Sequence, residues 1–189
     1  MEKLLVIYGS TRKKGNSESL TKKTLENIEK DYYEEIYLLD YHIKPIIDQR
    51  HSPSGFQPVD DDYEKLVKKL MGHDAVLFVT PLYWYGMSGL LKNFIDRFSQ
   101  SLRSEEYDFK ENMKQKKIYL LIVGGQYAPV TALPLIQQFE LICQFFDMEF
   151  GGYVIGRGVK PLEVLEDEDS ILSAMQLGKK IKADLISSK

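Results

Sequence analysis

A chain of 189 residues can bury about 70% of its unfolded surface, so one core and one domain spanning 1–189 are expected. Its 25 basic and 28 acidic residues nearly cancel, for a net charge of -3, which excludes the strongly basic surface of an obligate nucleic-acid binder. Cys143 is the only cysteine, which excludes an intrachain disulfide, a CxxC redox pair and a cysteine-ligated iron–sulfur cluster, so any electron chemistry needs an organic cofactor.

In chain order, Leu4 to Tyr8 reads as a buried strand ending at Gly9, followed by a helix from about Ser17 to Lys30 with Leu20, Leu25 and Ile28 facing inward. Tyr33 to Leu39 is a second strand. Asp40 to Pro58 carries Pro45, Pro53, Gly55 and Pro58 and is predicted to be a long loop. Tyr63 to Met71 is a helix, with Asp60, Asp61 and Asp62 in place to cap it, and Ala75 to Val79 is a third strand. Leu90, Leu91, Phe94, Ile95 and Phe98 form one face of a helix that Ser88 can cap. Ile118 to Val123 is a fourth strand, Pro134 to Phe146 a helix and Phe150 to Ile155 a strand. A last helix carries Ile171, Met175, Ile181 and Leu185. Strands and helices that alternate in this way predict an α/β fold with a parallel sheet. Such sheets bind ligands beyond the carboxyl ends of their strands, so the loops after strands one, three and four are where a site is expected. The short apolar start is not a signal peptide and no run of 18 apolar residues occurs, so a cytoplasmic location is expected.

The first loop, Gly9 to Ser17, combines Ser10, Arg12, Gly15, Asn16 and Ser17 at a helix N-terminus. Hydroxyls, a forked guanidinium, close-approach glycines and free N–H groups together suit a phosphate. A Walker A loop is excluded, since Gly9 and Gly15 are one residue too far apart and Asn16 stands where lysine belongs. G-x-G-x-x-G is broken at Ser10 and Thr11. A phosphatase loop lacks its cysteine, and the first strand has no terminal acidic pair. A monophosphate cradle remains, beside the plainer reading that Asn16 or Ser17 merely caps the helix and that Lys13 and Lys14 are solvated.

The third loop, Pro81-Leu82-Tyr83-Trp84-Tyr85-Gly86, places three aromatics in succession where burial is not their default, and so suits a flat ligand with face and edge contacts, such as an isoalloxazine. A hydrophobic subunit interface is the alternative reading, compatible with the first. Gly124, Gly125, Gln126 and Tyr127 after the fourth strand let backbone amides approach the same ligand, or else form a plain turn. His42, His51 and His73 lack metal-site spacing and no metal is expected. Lys92 and Asp96 form an i, i+4 pair, with either of which Arg97 could pair, and Cys143 reads as a packed small hydrophobe. The acids from Glu163 to Asp169 read as a solvated approach to the last helix.

The segments Gly9-Ser10-x-Arg12, Gly15-Asn16-Ser17 and Pro81 to Ser88 running into Leu91-Lys92-Asn93-Phe94-Ile95-Asp96-Arg97 resemble the NADPH-dependent FMN reductase and multimeric flavodoxin families over roughly residues 1 to 155. The resemblance implies a flavodoxin-like, doubly wound, five-stranded parallel sheet in order 2-1-3-4-5. It implies FMN with its phosphate in the loop after the first strand and its ring between the loops after the third and fourth strands, and a homodimer or homotetramer. NADPH or NADH would pass hydride to the flavin and a small acceptor such as a quinone would take it. No protein group acts as a catalyst in this reading; Trp84, Tyr85 and Tyr127 serve as walls that align flat molecules. An electron carrier without its own NAD(P)H oxidation is the alternative. Related iron–sulfur flavoproteins carry a cysteine cluster after the second strand, where this chain has Ile43 to His51 and no cysteine.

Overall fold

In the computed structural model, which describes residues 3–187, the first strand is β1 (Leu4–Tyr8), with every residue buried. A strand apolar on both faces must be covered on both, and crossover helices supply the cover. The chain continues through α1 (Asn16–Leu25), β2 (Tyr33–Tyr37), α2 (Tyr63–Met71), β3 (Ala75–Pro81), α3 (Gly89–Asp96), α4 (Phe98–Ser101) and α5 (Phe109–Met113). It ends with β4 (Lys117–Gly124), α6 (Ala128–Thr131), α7 (Leu133–Phe146), β5 (Glu149–Arg157) and α8 (Glu168–Ser187). All pairings are parallel in the order β2-β1-β3-β4-β5, so the flavodoxin-like expectation holds. Alternate strand residues feed two cores. Leu5, Ile7, Val76, Phe78, Leu120 and Ile122 pack with α2, α3 and α7; Leu4, Val6, Leu77, Val79, Leu121 and Val123 pack with α1 and α8. At the α1–α8 crossing a Cβ on Gly178 would stand 1.9 Å from the Thr24 carbonyl oxygen, so only glycine lets these helices meet.

Several element ends differ from the sequence expectation. α1 stops at Leu25, and a turn closed by Ile28 N–H on the Leu25 carbonyl carries Ile28 onto the core without a helix to Lys30. β2 ends at Tyr37 because Leu38–Asp40 tightens into a 3-10 turn that buries Leu38. The helix expected through Phe98 is interrupted at Arg97, whose side chain turns inward. The short helices α5 and α6 were not anticipated, and Leu90 and Met175 are only half-buried where Ala174 and Leu177 are buried.

Arg97 corrects two sequence readings. It pairs with neither Lys92 nor Asp96, which pair with each other, and Asp61 is not simply a helix cap. Arg97 Nη1 donates to Asp61 Oδ2 at 2.7 Å and to the Lys44 carbonyl at 3.0 Å, and the two side chains are 1% and 0% exposed. Asp61 Oδ2 also accepts from Lys44 N–H at 2.9 Å, while Asn93 Nδ2 donates to the Ile43 carbonyl at 2.6 Å. Arg97 further lies 4.4 Å from the Tyr63 ring centroid. The long loop after β2 is thus bolted to α3 at its root, which explains why Asn93 and Arg97 stand one helical turn apart.

Candidate functional site

The β1–α1 loop is shaped by its own polar groups. Ser10 Oγ donates to the Arg12 carbonyl at 2.9 Å and accepts from Arg12 N–H at 3.2 Å, and Lys14 takes the left-handed conformation at φ 55°. Glu18, buried in the first turn of α1, accepts from Lys14 N–H at 2.6 Å. Burial pushes its carboxyl up, but the Lys22 ammonium and the Lys14 N–H outweigh that and hold it below its usual range. No side chain caps α1, whose first amides therefore face the loop without intrahelical acceptors. The Arg12 guanidinium lies over Gly15, where a Cβ would come within 3.2 Å of Nε. Lys13 is not simply solvated: it pairs with Asp40 at 2.5 Å and sits 4.8 Å from the Tyr37 ring centroid. Among the described residues neither Arg12 nor Lys14 has an acidic side-chain partner, and of the two only Arg12 lines the cavity that these loops form.

The β3–α3 connection, residues 82–88, is built around a two-residue turn. Tyr83 and Gly86 exchange two backbone hydrogen bonds, each 3.0 Å, around Trp84 at φ 49° and Tyr85 at φ 66°. Positive φ at both central residues is the type I′ arrangement that Asn-Gly normally fills. For bulky side chains it costs on the order of 1–3 kcal/mol per residue and persists only where the surroundings enforce it. They do so here. Leu82 N–H donates to the Val123 carbonyl at 2.8 Å, Ser88 N–H donates to Thr80 Oγ1 at 2.9 Å, and Ser88 Oγ, which caps α3, also donates to the Gly9 carbonyl. Gly9 permits that contact, since a Cβ there would stand 2.7 Å from Leu91 Cβ.

These loops enclose a cavity of about 420 Å³ at the carboxyl ends of β1, β3, β4 and β5. Its lining combines the polar β1–α1 loop, with Ser10, Thr11, Arg12, Gly15, Asn16 and Ser17, with Pro81, Leu82, Tyr83, Val123, Gly124, Gly125, Gly158 and Val159 from the loops after β3, β4 and β5. Five expected residues lie outside it. The outward turn leaves Trp84 94% exposed, Tyr85 lines an apolar groove beside α4 and α7, and Gly86 only closes the turn. Tyr127 is 76% exposed, and Gln126 lines a neighbouring groove. Asn16 lines the cavity, but its amide is spent on the β5–α8 connection: Nδ2 donates to the Lys160 carbonyl at 2.8 Å and Oδ1 accepts from Val164 N–H. Sequence reasoning missed the wall made by Gly158 and Val159, although Gly156-Arg157-Gly158 signals a strand end. Of the five acids after it, Glu166, Glu168 and Asp169 are exposed as expected, while Glu163 and Asp167 are structural. Glu163 accepts from Val159 and Lys160 N–H at 2.6 and 2.8 Å, and Asp167 takes both arms of Arg157, which holds its carboxyl well below the usual range.

The sequence profile of the NADPH-dependent FMN reductase family matches residues 2–159, a span that contains every loop of the cavity. The chain belongs to that family. Within it, this reductase is 44% identical over 182 residues to the putative NAD(P)H-dependent FMN-containing oxidoreductase YwqN of Bacillus subtilis, covering 96% of this chain and 99% of that one. The solved structure of a Bacillus subtilis Trp repressor binding protein superposes with a TM-score of 0.77 at 40% identity, over 93% of this chain and 99% of that one. An FMN-dependent NADH-azoreductase from Bacillus anthracis, solved with FMN, shares the fold at a TM-score of 0.68 and 15% identity, over 96% and 99% of the two chains. Among the described residues of the reductase no helix is long and apolar enough to cross a membrane, and no group of three or more His, Cys, Asp or Glu is placed to hold a metal ion.

Proposed function

We propose that residues 1–189 form one FMN-binding domain, a cytoplasmic FMN-dependent NAD(P)H oxidoreductase that reduces a small acceptor. The observation that carries the reading is the cavity's mixed lining: a cofactor with a phosphate and a flat apolar ring suits a cavity walled by a polar loop at a helix N-terminus and by Pro81, Leu82, Tyr83, Val123 and Val159. FMN supplies the exchange of hydride between a nicotinamide and an acceptor. The chain supplies binding, orientation and access. Arg12, Ser10, Thr11 and the first amides of α1 hold the phosphate. Leu82, Tyr83 and the Gly124-Gly125 backbone meet the ring, and Val159 shields it from water. No side chain needs to move a proton for hydride transfer itself. Anaerobic titration of FMN-loaded protein with NADPH and with NADH is expected to bleach the visible flavin absorbance. Bound flavin that resists both nucleotides would overturn the reductase reading in favour of an electron carrier.

The groove lined by Tyr85, Phe98, Leu102, Leu141, Phe145 and Phe146 leaves Leu141 59% and Phe145 55% exposed on one side of α7, beside the turn. An apolar surface of this kind supports a homodimer or homotetramer in which a second copy covers α7. Light scattering at micromolar concentration is expected to give at least twice the chain mass; a monomer would refute the assembly.

A further inference from the structure

Gly158, on the cavity wall just after β5, is not a left-handed glycine, so its backbone does not call for one. What it lacks is room: a Cβ there would stand 2.7 Å from Val164 N and 3.0 Å from Asn16 Nδ2. The space is taken by the side-chain amide of Asn16, the first residue of α1 and 6% exposed. That amide meets a carbonyl with its donor and an N–H with its acceptor, Lys160 at 2.8 Å and Val164 at 3.4 Å, as a neighbouring strand would. Both ends of the β5–α8 connection are anchored elsewhere. Gly158 N–H donates to the Gly124 carbonyl at 2.8 Å, and Val164 is buried in the α1–α8 core. Between them Glu163 bonds Val159 and Lys160 N–H from within the connection, and among the described residues it is Asn16 that ties the stretch to another element. The stretch needs a tie, because Leu162 is held in the left-handed region at φ 66°, a strain that loosening would relieve. It also carries Val159, 74% exposed on the cavity wall beside Gly125.

We propose that Asn16 is a positioning residue: through the Lys160 carbonyl and Val164 N–H it holds Val159 on the cavity wall. The loop that grips the phosphate thereby also sets the cover of the flavin ring. This rests on the reading that FMN occupies the cavity. An asparagine in a phosphate loop is otherwise a candidate phosphate donor, but here both ends of its amide are committed to the connection.

Riboflavin, which has the ring and no phosphate, separates the two roles. A lost phosphate contact weakens FMN alone, whereas a displaced wall weakens both flavins by the same factor. N16A is expected to weaken both by about three- to tenfold, the net worth of one hydrogen bond, and to blur the vibronic structure of the bound-flavin absorbance as water reaches the ring. G158A crowds the same amide from the other side and is expected to do likewise. V159A, a truncation at an exposed position that leaves the fold intact, is expected to weaken both flavins, and N16A added to it to cost little more, since the two act through one side chain. In the flavin-free protein, hydrogen exchange at the Val164 amide is expected to be faster in N16A than in wild type. Loss confined to FMN in N16A would make Asn16 a phosphate donor and overturn the proposal. So would wild-type flavin affinity in V159A, additive losses in N16A/V159A, or unchanged exchange at Val164. A wild type that binds neither flavin would refute the cavity reading on its own, while exchange at Val164 would still show whether Asn16 holds the connection.

Discussion

Asp61→Asn is expected to cost about 3–5 kcal/mol of folding stability, the range seen when one partner of a buried ion pair is removed. Asparagine keeps the shape but not the charge, and Arg97, 1% exposed, would be left with a Tyr63 ring and carbonyl dipoles for company. Its Nη2 is already the one buried side-chain polar atom without a hydrogen-bond partner among the described residues, so the site has no reserve. Burial alone would raise the Asp61 carboxyl, but Arg97 and the N–H groups of Lys44 and Tyr63 outweigh it and hold it below its usual value near 4. A carboxyl depressed on folding stabilises at pH above its unfolded value, and that contribution disappears as pH falls through the folded value. Urea unfolding at neutral pH should therefore show the full loss, and the gap between wild type and variant should close below about pH 4. Replacing both partners by apolar residues, as in D61L/R97M, is expected to recover part of the stability, since the unpaired charge is gone but the Lys44 and Tyr63 N–H groups lose their acceptor. A variant as stable as wild type at neutral pH would mean that Arg97 is solvated in solution.

What could be read from the sequence follows its range of interaction. The strands were legible because burial on both faces writes itself as uninterrupted apolar runs, and Leu4–Tyr8 and Ala75–Val79 are buried throughout. The order of the sheet came from the family resemblance, not from those runs. Ser88 as the cap of α3 was legible because the bond to Leu91 N–H spans three residues. The Asp61–Arg97 pair spans 36 positions, and the tie from Asn16 to Lys160 spans 144; neither leaves a local trace. Trp-Tyr is likewise no signal for a type I′ turn, so sequence indicated aromatic display but not its handedness or the outward throw of Trp84. Asn16 shows the limit most plainly: the residue lies in the cavity as its loop suggests, while its amide serves β5.

Arg12→Ala is expected to weaken FMN binding by about 10- to 100-fold, the worth of a charge-assisted hydrogen-bonding group removed from a phosphate. The magnitude follows from the loop's charge economy, because Lys13 pairs with Asp40 and Lys14 is not among the residues that line the cavity, so Arg12 is the one cation in that lining. Arg12→Lys should recover only part of the loss, since an ammonium restores charge without the two-armed fork. Riboflavin separates charge from shape. It has the same ring and no phosphate, so its binding to Arg12→Ala should match its binding to wild type if Arg12 acts on the phosphate directly. Arg12 also overlies Gly15 and shares hydrogen bonds with Ser10, so a role in shaping the loop is the rival explanation. Equal weakening of FMN and riboflavin would establish that rival, because a collapsed loop would disturb both ligands alike. Loss confined to FMN, and diminishing as salt screens the wild-type interaction, would place the phosphate against the guanidinium.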